Sequence, residues 1–361
     1  LLENLTPKMY NFTVDLAAPA VPTIVAPAQN TTTNQTTIAL GGKSVASTQV
    51  AITNNGTDVI TNVPVDSSGN YSATIDVQEG NNLLTVKAQY VGRTKWSGYS
   101  AERKVVVNTQ IPDAPTGVNA TSAKQGQIHV TWNAVTSSNI NNQVKGYNIY
   151  RAASTFSGKG DAGVSKVNSQ LVTTTSFSNL VVNDGTYFYA VAAVNQANNE
   201  GALSTAVSAV ADSIGPKITQ LTYTSDGPVD SVSGRMGKGR VSVIATFSEP
   251  LRNSPYFAIV PEQGLPISID LAKSYSDEKV YTGQFTIDQS TGSGTAYVSM
   301  SAHDNFGNRG TDILQGASLL IDAQGPDLSQ LTISPVEPLK VDATNGLVVT
   351  TSIRLSESLK P

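Results

Sequence analysis

The chain has 361 residues, a net charge of −4, a pI near 5.2 and no cysteine. Without cysteine it has no disulfide and no thiolate for a tetrahedral zinc site, and its acidic balance without a basic patch argues against nucleic acid as a partner. No apolar stretch reaches the roughly 18–20 residues of a membrane helix, so we expect no membrane insertion in this segment. Short runs rich in Val, Ile and Thr, broken by Asn, Asp, Gly and Pro, predict many short strands joined by turns.

An acidic or amide residue precedes a proline by four positions at the end of four apolar runs. These residues are Asp15, Asn108, Asp212 and Asp322, at intervals of 93, 104 and 110 positions. The intervals match small domains, and a proline stiffens each linker, so we predict an extended rod of tandem all-β domains. The predicted parts are the last strand of a preceding domain (1–18), domains at 19–111, 112–212 and 213–325, and the start of a further repeat (326–361).

Residues 19–111 carry turn clusters at Asp66–Tyr71 and Glu79–Asn82. The order of a turn, the run GNYSATI, an acidic Gly-Asn turn and the run LLTVKAQ resembles bacterial Ig-like domains. That resemblance implies a β-sandwich. The predicted strands are Thr36–Leu40, Gln49–Asn54, Tyr71–Val77, Leu83–Tyr90 and Arg103–Val107.

Residues 112–212 alternate Ile128, Val130 and Trp132 on one strand face. The run KGYNIYR follows, and Leu180 then precedes the run GTYFYAVAAVN. This combination resembles a fibronectin type III domain. The resemblance implies that Trp132 and Tyr187 lie in the core and that Tyr187 is the tyrosine-corner residue, with its hydroxyl bonded to backbone upstream.

Residues 213–325 and 326–361 contain a repeat. The run GPKITQLT recurs 110 positions later as GPDLSQLT, and Ser248-Glu249 recurs 108 positions later as Ser356-Glu357. We infer two homologous Ig-like domains, of which the second is incomplete here, because about 36 residues are too few to bury a sandwich core. On this reading the chain is a piece of something longer.

The search for catalytic groups favours a protein that is not an enzyme. The two histidines, His129 and His303, fall in different domains, and both are predicted to be exposed. No nucleotide-binding loop or nucleophile motif is present. Glu249 in the run FSEP is interpreted as a turn residue at a strand end, where Pro250 stops the strand.

Calcium is the one cofactor that the sequence suggests. Ca²⁺ takes six to eight oxygen ligands from carboxylates, amides and carbonyls. The turn HDNFGN offers such groups, and Asp322 in the following linker would join it if turn and linker share a pole of the sandwich. Asp212 would do the same at the preceding linker. The alternative is that these side chains only cap turns. The candidate ligands are Asp304, Asn305, Asn308, Asp212 and Asp322.

The function predicted first is structural or adhesive. The chain would be a rigid spacer in a large modular extracellular or cell-surface protein of a bacterium or archaeon, as a stalk, fibre or surface-layer component. Its partners would be the neighbouring domains, other copies, or surface glycans. The alternatives are accessory modules of a secreted polysaccharide-degrading enzyme, or a carbohydrate-binding module that uses Trp96 and Tyr99. Asn-x-Ser/Thr occurs seven times, which the abundance of Ser and Thr is expected to explain.

Overall fold

The computed structural model describes Met9 and residues 17–137, 142–334 and 349–356. Within these residues it contains 27 strands and one three-residue 3₁₀ turn, Lys124–Gly126, which confirms the predicted all-β fold. No described helix is long and apolar enough to cross a membrane. Contacts divide the chain into two compact units. Unit 1 is Leu1–Thr121, Ile128–Leu180 and Gly185–Val210, and unit 2 is Ser122–Gln127, Val181–Asp184 and Ala211–Pro361.

The N-terminal part of unit 1 has a three-stranded sheet of order β1-β3-β6 and a five-stranded sheet of order β2-β8-β7-β4-β5. Their inward side chains form one core that includes Leu40, Ile52, Leu84, Val86 and Val105. The strands are β1 Thr23–Ala26, β2 Thr31–Thr33, β3 Thr37–Lys43, β4 Thr48–Asn54, β5 Thr57–Pro64, β6 Asn70–Asp76, β7 Gly80–Tyr90 and β8 Arg103–Val107.

All five strands predicted for this part exist, with ends that shift by up to three residues. The turn before β6 forms because Asp66 Oδ1 accepts from the backbone N–H groups of Ser68 and Asn70, at 2.9 and 2.8 Å. Asn55 and Gly56, both at positive φ, make the tight turn between β4 and β5. β5 lies at the end of its sheet and most of its residues are exposed, so it lacks the apolar alternation from which a strand can be predicted.

Residues 119–211 also form two sheets. One has the order β13-β10-β9, and the other has the order β12-β11-β14-β15, with β16 also paired to β14. Ile128, Val130 and Trp132 are buried as predicted, and the Trp132 ring meets the Tyr147 ring edge-on at a centroid distance of 5.2 Å. The strands are β9 Asn119–Ser122, β10 Gln127–Thr131, β11 Val144–Ala152, β12 Ser165–Lys166, β13 Ser176–Leu180, β14 Gly185–Asn195, β15 Glu200–Leu203 and β16 Val207–Ala211.

One detail expected from the fibronectin type III resemblance is wrong, because Tyr187 does not lie in the core. Tyr187 is only half-buried and carries the Arg151 guanidinium over its ring, 5.2 Å from the centroid. The fully buried tyrosine is Tyr189, whose hydroxyl donates to Asn179 Oδ1 at 2.8 Å. The buried residue before the turn is Val181, since Leu180 is 60% exposed at the end of β13. The first four residues of β14 are not buried, so the buried part of the strand begins at Tyr189, two residues after Tyr187.

Residues 217–321 of unit 2 form another pair of sheets. The orders are β17-β18-β22-β21 and β20-β19-β23-β24, with β25 also paired to β23. The core between them includes Ile218, Phe247, Phe257, Ile259 and Tyr281. The strands are β17 Ile218–Ser225, β18 Gly239–Phe247, β19 Tyr256–Pro261, β20 Ile267–Ser268, β21 Ala272–Lys273, β22 Val280–Ile287, β23 Gly294–His303, β24 Arg309–Gly310 and β25 Ser318–Ile321.

The last two strands, β26 Leu328–Ser334 and β27 Thr350–Leu355, reproduce the pairing of β17 with β18. Leu221 pairs with Ala245, and Leu331 pairs with Ile353, with a register irregularity at the same place in both hairpins. Ser248 exchanges hydrogen bonds with Lys217, and Ser356 exchanges the equivalent pair with Asp327. The tandem repeat inferred from sequence is therefore also a repeat of register.

Candidate cation site at the Asp212 linker

Three carboxylates converge in unit 2, where the linker meets two strand ends. Asp212 lies in the linker, Glu249 follows β18, and Asp304 follows β23. One oxygen from each lies within 4.8 Å of the others. The packing of two sheets brings the Glu249 and Asp304 positions together, although the three acids are 37 and 55 residues apart in the chain.

The Asp304 carboxylate is buried and organises its own turn. Its Oδ1 accepts from the N–H groups of Phe306, Gly307 and Asn308 at 2.8, 2.6 and 2.8 Å. Its Oδ2 accepts from Asn308 Nδ2 at 2.7 Å. Asp304 therefore caps its own turn, as in the alternative interpretation. Of its two oxygens, Oδ2 alone keeps a lone pair that a cation could use.

Asn308 is used by hydrogen bonds within the protein. Its Nδ2 also donates to the Asp212 carbonyl at 3.0 Å, and its Oδ1 accepts from the Gln125 N–H at 2.6 Å. The Gly126 N–H donates to the same Asp212 carbonyl at 2.8 Å. Asn308 therefore positions the linker, and we no longer assign it as a cation ligand.

Asp322 does not belong to this group. Ile321 pairs with Gly294 at the start of β23, whereas Asp304 follows the end of that ten-residue strand. At about 3.3 Å per residue the two acids are roughly 30 Å apart along the sheet. The expected shared pole was therefore wrong. Asn305 is exposed beside Asp304.

Glu249 was interpreted as a turn residue, and the structure makes it a member of the carboxylate group. The signal that pointed to it was the recurrence of Ser248-Glu249 as Ser356-Glu357. Asp322 precedes that second pair as Asp212 precedes the first. The same two acids therefore recur at the next linker in sequence.

The electrostatics of the group follow from burial and like charge. Burial raises the pKa of Glu249, and the nearby Asp304 and Asp212 raise it further, against a smaller opposing effect from Lys279. Burial likewise raises the pKa of Asp212, with Asp304 and Asp184 adding to it despite a hydrogen bond from the Ile214 N–H. In both cases the folded protein disfavours the ionised carboxylate, first through burial and then through nearby like charge.

This donor set suits a hard divalent cation. Ca²⁺ prefers carboxylate oxygens and completes its six to eight ligands with water or carbonyls. Asp212, Glu249 and Asp304 Oδ2 would supply the protein ligands. Neither histidine contributes, because His129 and His303 are both exposed outside this group, and His129 Nδ1 lies 2.9 Å from Ser178 Oγ.

A neutral version of the same arrangement holds the linker in unit 1. Asn195 and Asn199 stand 109 positions before Asp304 and Asn308. Asn199 Nδ2 donates to the carbonyls of Asn108 and Gln110 at 2.6 and 2.9 Å, and Asn195 Nδ2 donates to Gln110 at 2.8 Å. Amides thus hold the carbonyls of this linker, and the Glu79 carboxylate accepts from the Thr109 N–H at 3.0 Å.

Two equivalent glycines complete both linkers. A Cβ on Gly201 would lie 2.2 Å from the Pro112 carbonyl oxygen, and a Cβ on Gly310 would lie 1.8 Å from that of Pro216. In both places the backbone after the turn contacts the linker proline too closely for any side chain.

The aromatic pair proposed for sugar binding surrounds a lysine of its own unit. Lys87 Nζ lies 5.2 Å from the Trp96 ring centroid and 5.3 Å from that of Tyr99, and it forms an ion pair with Asp58 at 3.1 Å. Trp96 is half-buried beside β7, whereas Tyr99 is 55% exposed. Tyr99 also borders an open groove of about 510 Å³, lined by Thr53, Asn55, Gly56, Leu83, Thr85 and Glu102.

No family model matches the chain, and no curated protein matches it. Two solved structures are similar to it in part. The chicken "CNTN1 FN1-FN3 domains" share 13% identity over 82% of this chain and 99% of that one, with a TM-score of 0.30. The Clostridium thermocellum "CbhA fibronectin(III)-like modules" share 16% identity over 54% of this chain and 95% of that one, with a TM-score of 0.36. The fold assigned above rests on the strands, sheets and registers themselves.

Proposed function

We propose that this chain is a rigid spacer within a large modular extracellular protein of a bacterium or archaeon, and that it is not an enzyme. The carrying observation is that the Asn108 linker and the Asp212 linker are each bonded by a turn of the domain that follows. Asn199 holds the carbonyls of Asn108 and Gln110, and Asn308 holds that of Asp212. A stalk, fibre or surface layer needs domains joined without free linkers.

The physical reason is the entropy of the linker. Fixing the backbone of one residue costs about 1–2 kcal/mol of conformational entropy, so a linker residue without bonds stays mobile. Proline restricts φ, and buried amide hydrogen bonds restrict the residues before it. Fixed linkers would set the spacing between domains, and spacing is the proposed mechanism.

Small-angle scattering of the full chain tests the spacer. Three to four domains of some 35–40 Å each would exceed 100 Å in length, whereas a compact globule of this size has a radius of gyration of about 20 Å. Asn199→Ala is expected to broaden the distance distribution, because it removes the hydrogen bonds from Asn199 to the carbonyls of Asn108 and Gln110. Gln196→Ala, at an exposed neighbouring position, is the matched control. A compact particle would contradict the proposal.

We also propose that the Asp212 linker takes up Ca²⁺. Three carboxylates within 4.8 Å and the upward pKa directions of Asp212 and Glu249 support this role. A bound cation would offset the repulsion between these acids and tighten the linker. Thermal melting with calcium tests this proposal, as set out below.

Carbohydrate recognition is the other candidate, either in a module that accompanies a polysaccharide-degrading enzyme or in a surface protein that binds glycans. The supporting observation is the groove beside the exposed Tyr99 ring, with Asn55, Thr85 and Glu102 on its walls. Tyr99→Ala is expected to abolish any retention on a glycan panel. Val91→Ala, another exposed apolar position of the same unit, serves as the control.

A further inference from the structure

The Asn-x-Ser/Thr triplets are confined to one end of the chain. Residues 1–121 contain 12 asparagines, and seven of them begin such a triplet. Residues 122–361 contain 15 asparagines, and none of them does. This triplet is the acceptor sequence for N-linked glycans.

Composition does not explain the difference, contrary to the expectation from abundance. Serine and threonine make up 25 of the 121 N-terminal residues and 52 of the other 240, which is close to one residue in five in both parts. Chance would thus give about two or three triplets in each part, so the N-terminal excess and the C-terminal absence both need another cause.

The structure shows that the acceptor asparagines are accessible. Among the five that lie in described residues, Asn30, Asn55, Asn70 and Asn119 are exposed and Asn34 is half-exposed. Three other asparagines among the described residues of this part are buried, and none of these begins a triplet. They are Asn54, Asn82 and Asn108.

These acceptors also share a place in the fold, because all five adjoin the outermost strand of a sheet. Asn30 and Asn34 flank β2, and Asn55 precedes β5, the two end strands of the five-stranded sheet. Asn70 begins β6, and Asn119 begins β9, each of which ends a three-stranded sheet. An end strand presents backbone groups that can pair with another copy, and bulky polar groups beside it prevent this.

We propose that Asn30, Asn55, Asn70 and Asn119 carry N-linked glycans that protect these sheet edges. This inference rests on the proposed extracellular function. The donor would be a lipid-linked glycosyl phosphate. The anomeric carbon–oxygen bond to phosphate breaks and a bond from that carbon to Asn Nδ2 forms, while phosphate leaves with the bonding electrons and the amide gives up a proton to a base. One N–H remains, so hydrogen bonds such as Asn70 Nδ2 to Asp66 can persist.

The test is glycopeptide mass spectrometry of the full protein isolated from the cells that make it. Glycan masses are expected on peptides that contain Asn30, Asn55, Asn70 and Asn119. Asn62 and Asn81 are exposed in the same part of unit 1 but begin no triplet, so they are matched internal controls and are expected to be unmodified. Unmodified acceptor peptides, or equal modification at Asn62 and Asn81, would overturn the proposal.

A pair of variants expressed in the same cells separates the triplet from the fold. Thr121→Ser keeps the acceptor sequence and should keep the glycan on Asn119, whereas Thr121→Ala should remove it completely. Labelling of intact cells with a membrane-impermeant reagent distinguishes failure of the glycan inference from failure of the proposed extracellular function. A labelled but unglycosylated protein overturns only the glycan inference, and an unlabelled protein overturns the extracellular function as well.

Discussion

Asn308 Nδ2 donates a hydrogen bond to the backbone carbonyl of Asp212, 96 positions earlier in the chain, at 3.0 Å. Asn199 makes the corresponding bond to Asn108 at 2.6 Å across 91 positions. Each linker is thereby bonded to the domain that follows it, through a turn near the end of that domain's chain. These two linker hydrogen bonds are therefore expected to form only when the following domain folds.

Asn308→Ala should destabilise unit 2 by about 1–3 kcal/mol, because it leaves the buried Asp304 oxygen and the Gln125 N–H without their partner. Urea unfolding followed by circular dichroism measures this change. Asn305→Ala, at the exposed position three residues earlier, should change the free energy of unfolding by less than about 0.5 kcal/mol. Equal effects of the two variants would contradict the role given to Asn308.

Gly310→Ala should be among the more costly single changes in unit 2. Its Cβ would lie 1.8 Å from the Pro216 oxygen, so backbone must move, at a cost of about 1–3 kcal/mol. Gly325→Ala is the control, because nothing lies within 4 Å of its added Cβ. Differential scanning calorimetry compares the two, and a tolerated Gly310→Ala would show that the linker contact is loose.

The three converging carboxylates predict an unusual pH dependence of the free energy of unfolding. The pKa values of Asp212 and Glu249 are raised in the folded protein, mainly by burial and then by Asp304. The folded state thus binds their protons more tightly than the unfolded state, so their contribution to stability falls as pH rises from the ordinary carboxyl range through the raised values.

Glu249→Gln is expected to reduce this loss and to stabilise the calcium-free protein at pH 7. The measurement is the free energy of unfolding with a chelator present, from pH 4 to pH 7, for wild type and variant. Glu278→Gln is the control. Its exposed ion pair with Lys273, at 3.2 Å, is expected to contribute little. If the free energy of unfolding of wild type and Glu249→Gln changes with pH in parallel, the assignment is refuted.

Calcium is expected to make the wild type more stable than Glu249→Gln, which reverses the order of stability expected without calcium. A ligand present at 100 times its Kd stabilises the protein by about 2.7 kcal/mol, so the Tm of the wild type should rise as calcium is added. Glu249→Gln has lost one ligand and should show a smaller rise. Thermal melting of the full chain over a calcium titration provides the measurement, and an unchanged wild-type Tm at millimolar calcium rules out the site.

The sequence by itself determined the strand-rich class, the tandem order and the repeat. These depend on local features: alternation such as Ile128, Val130 and Trp132, turn residues such as Asp66, and the recurrence of Ser248-Glu249. It also contained the uneven distribution of glycan acceptor triplets. Register pairing then confirmed the repeat, since Leu221 with Ala245 and Leu331 with Ile353 occupy equivalent places.

Only the tertiary structure decided which acids meet. Asp322 was separated from Asp304 by the length of β23, and Glu249 was brought to it by the packing of two sheets. Burial was likewise decided by packing, which placed Tyr189 in the core and left Tyr187 half-covered beneath Arg151. The physical reason is that alternation along a strand reports a preference for one face, whereas the ends of strands from different sheets meet according to register and loop geometry, which no local pattern encodes.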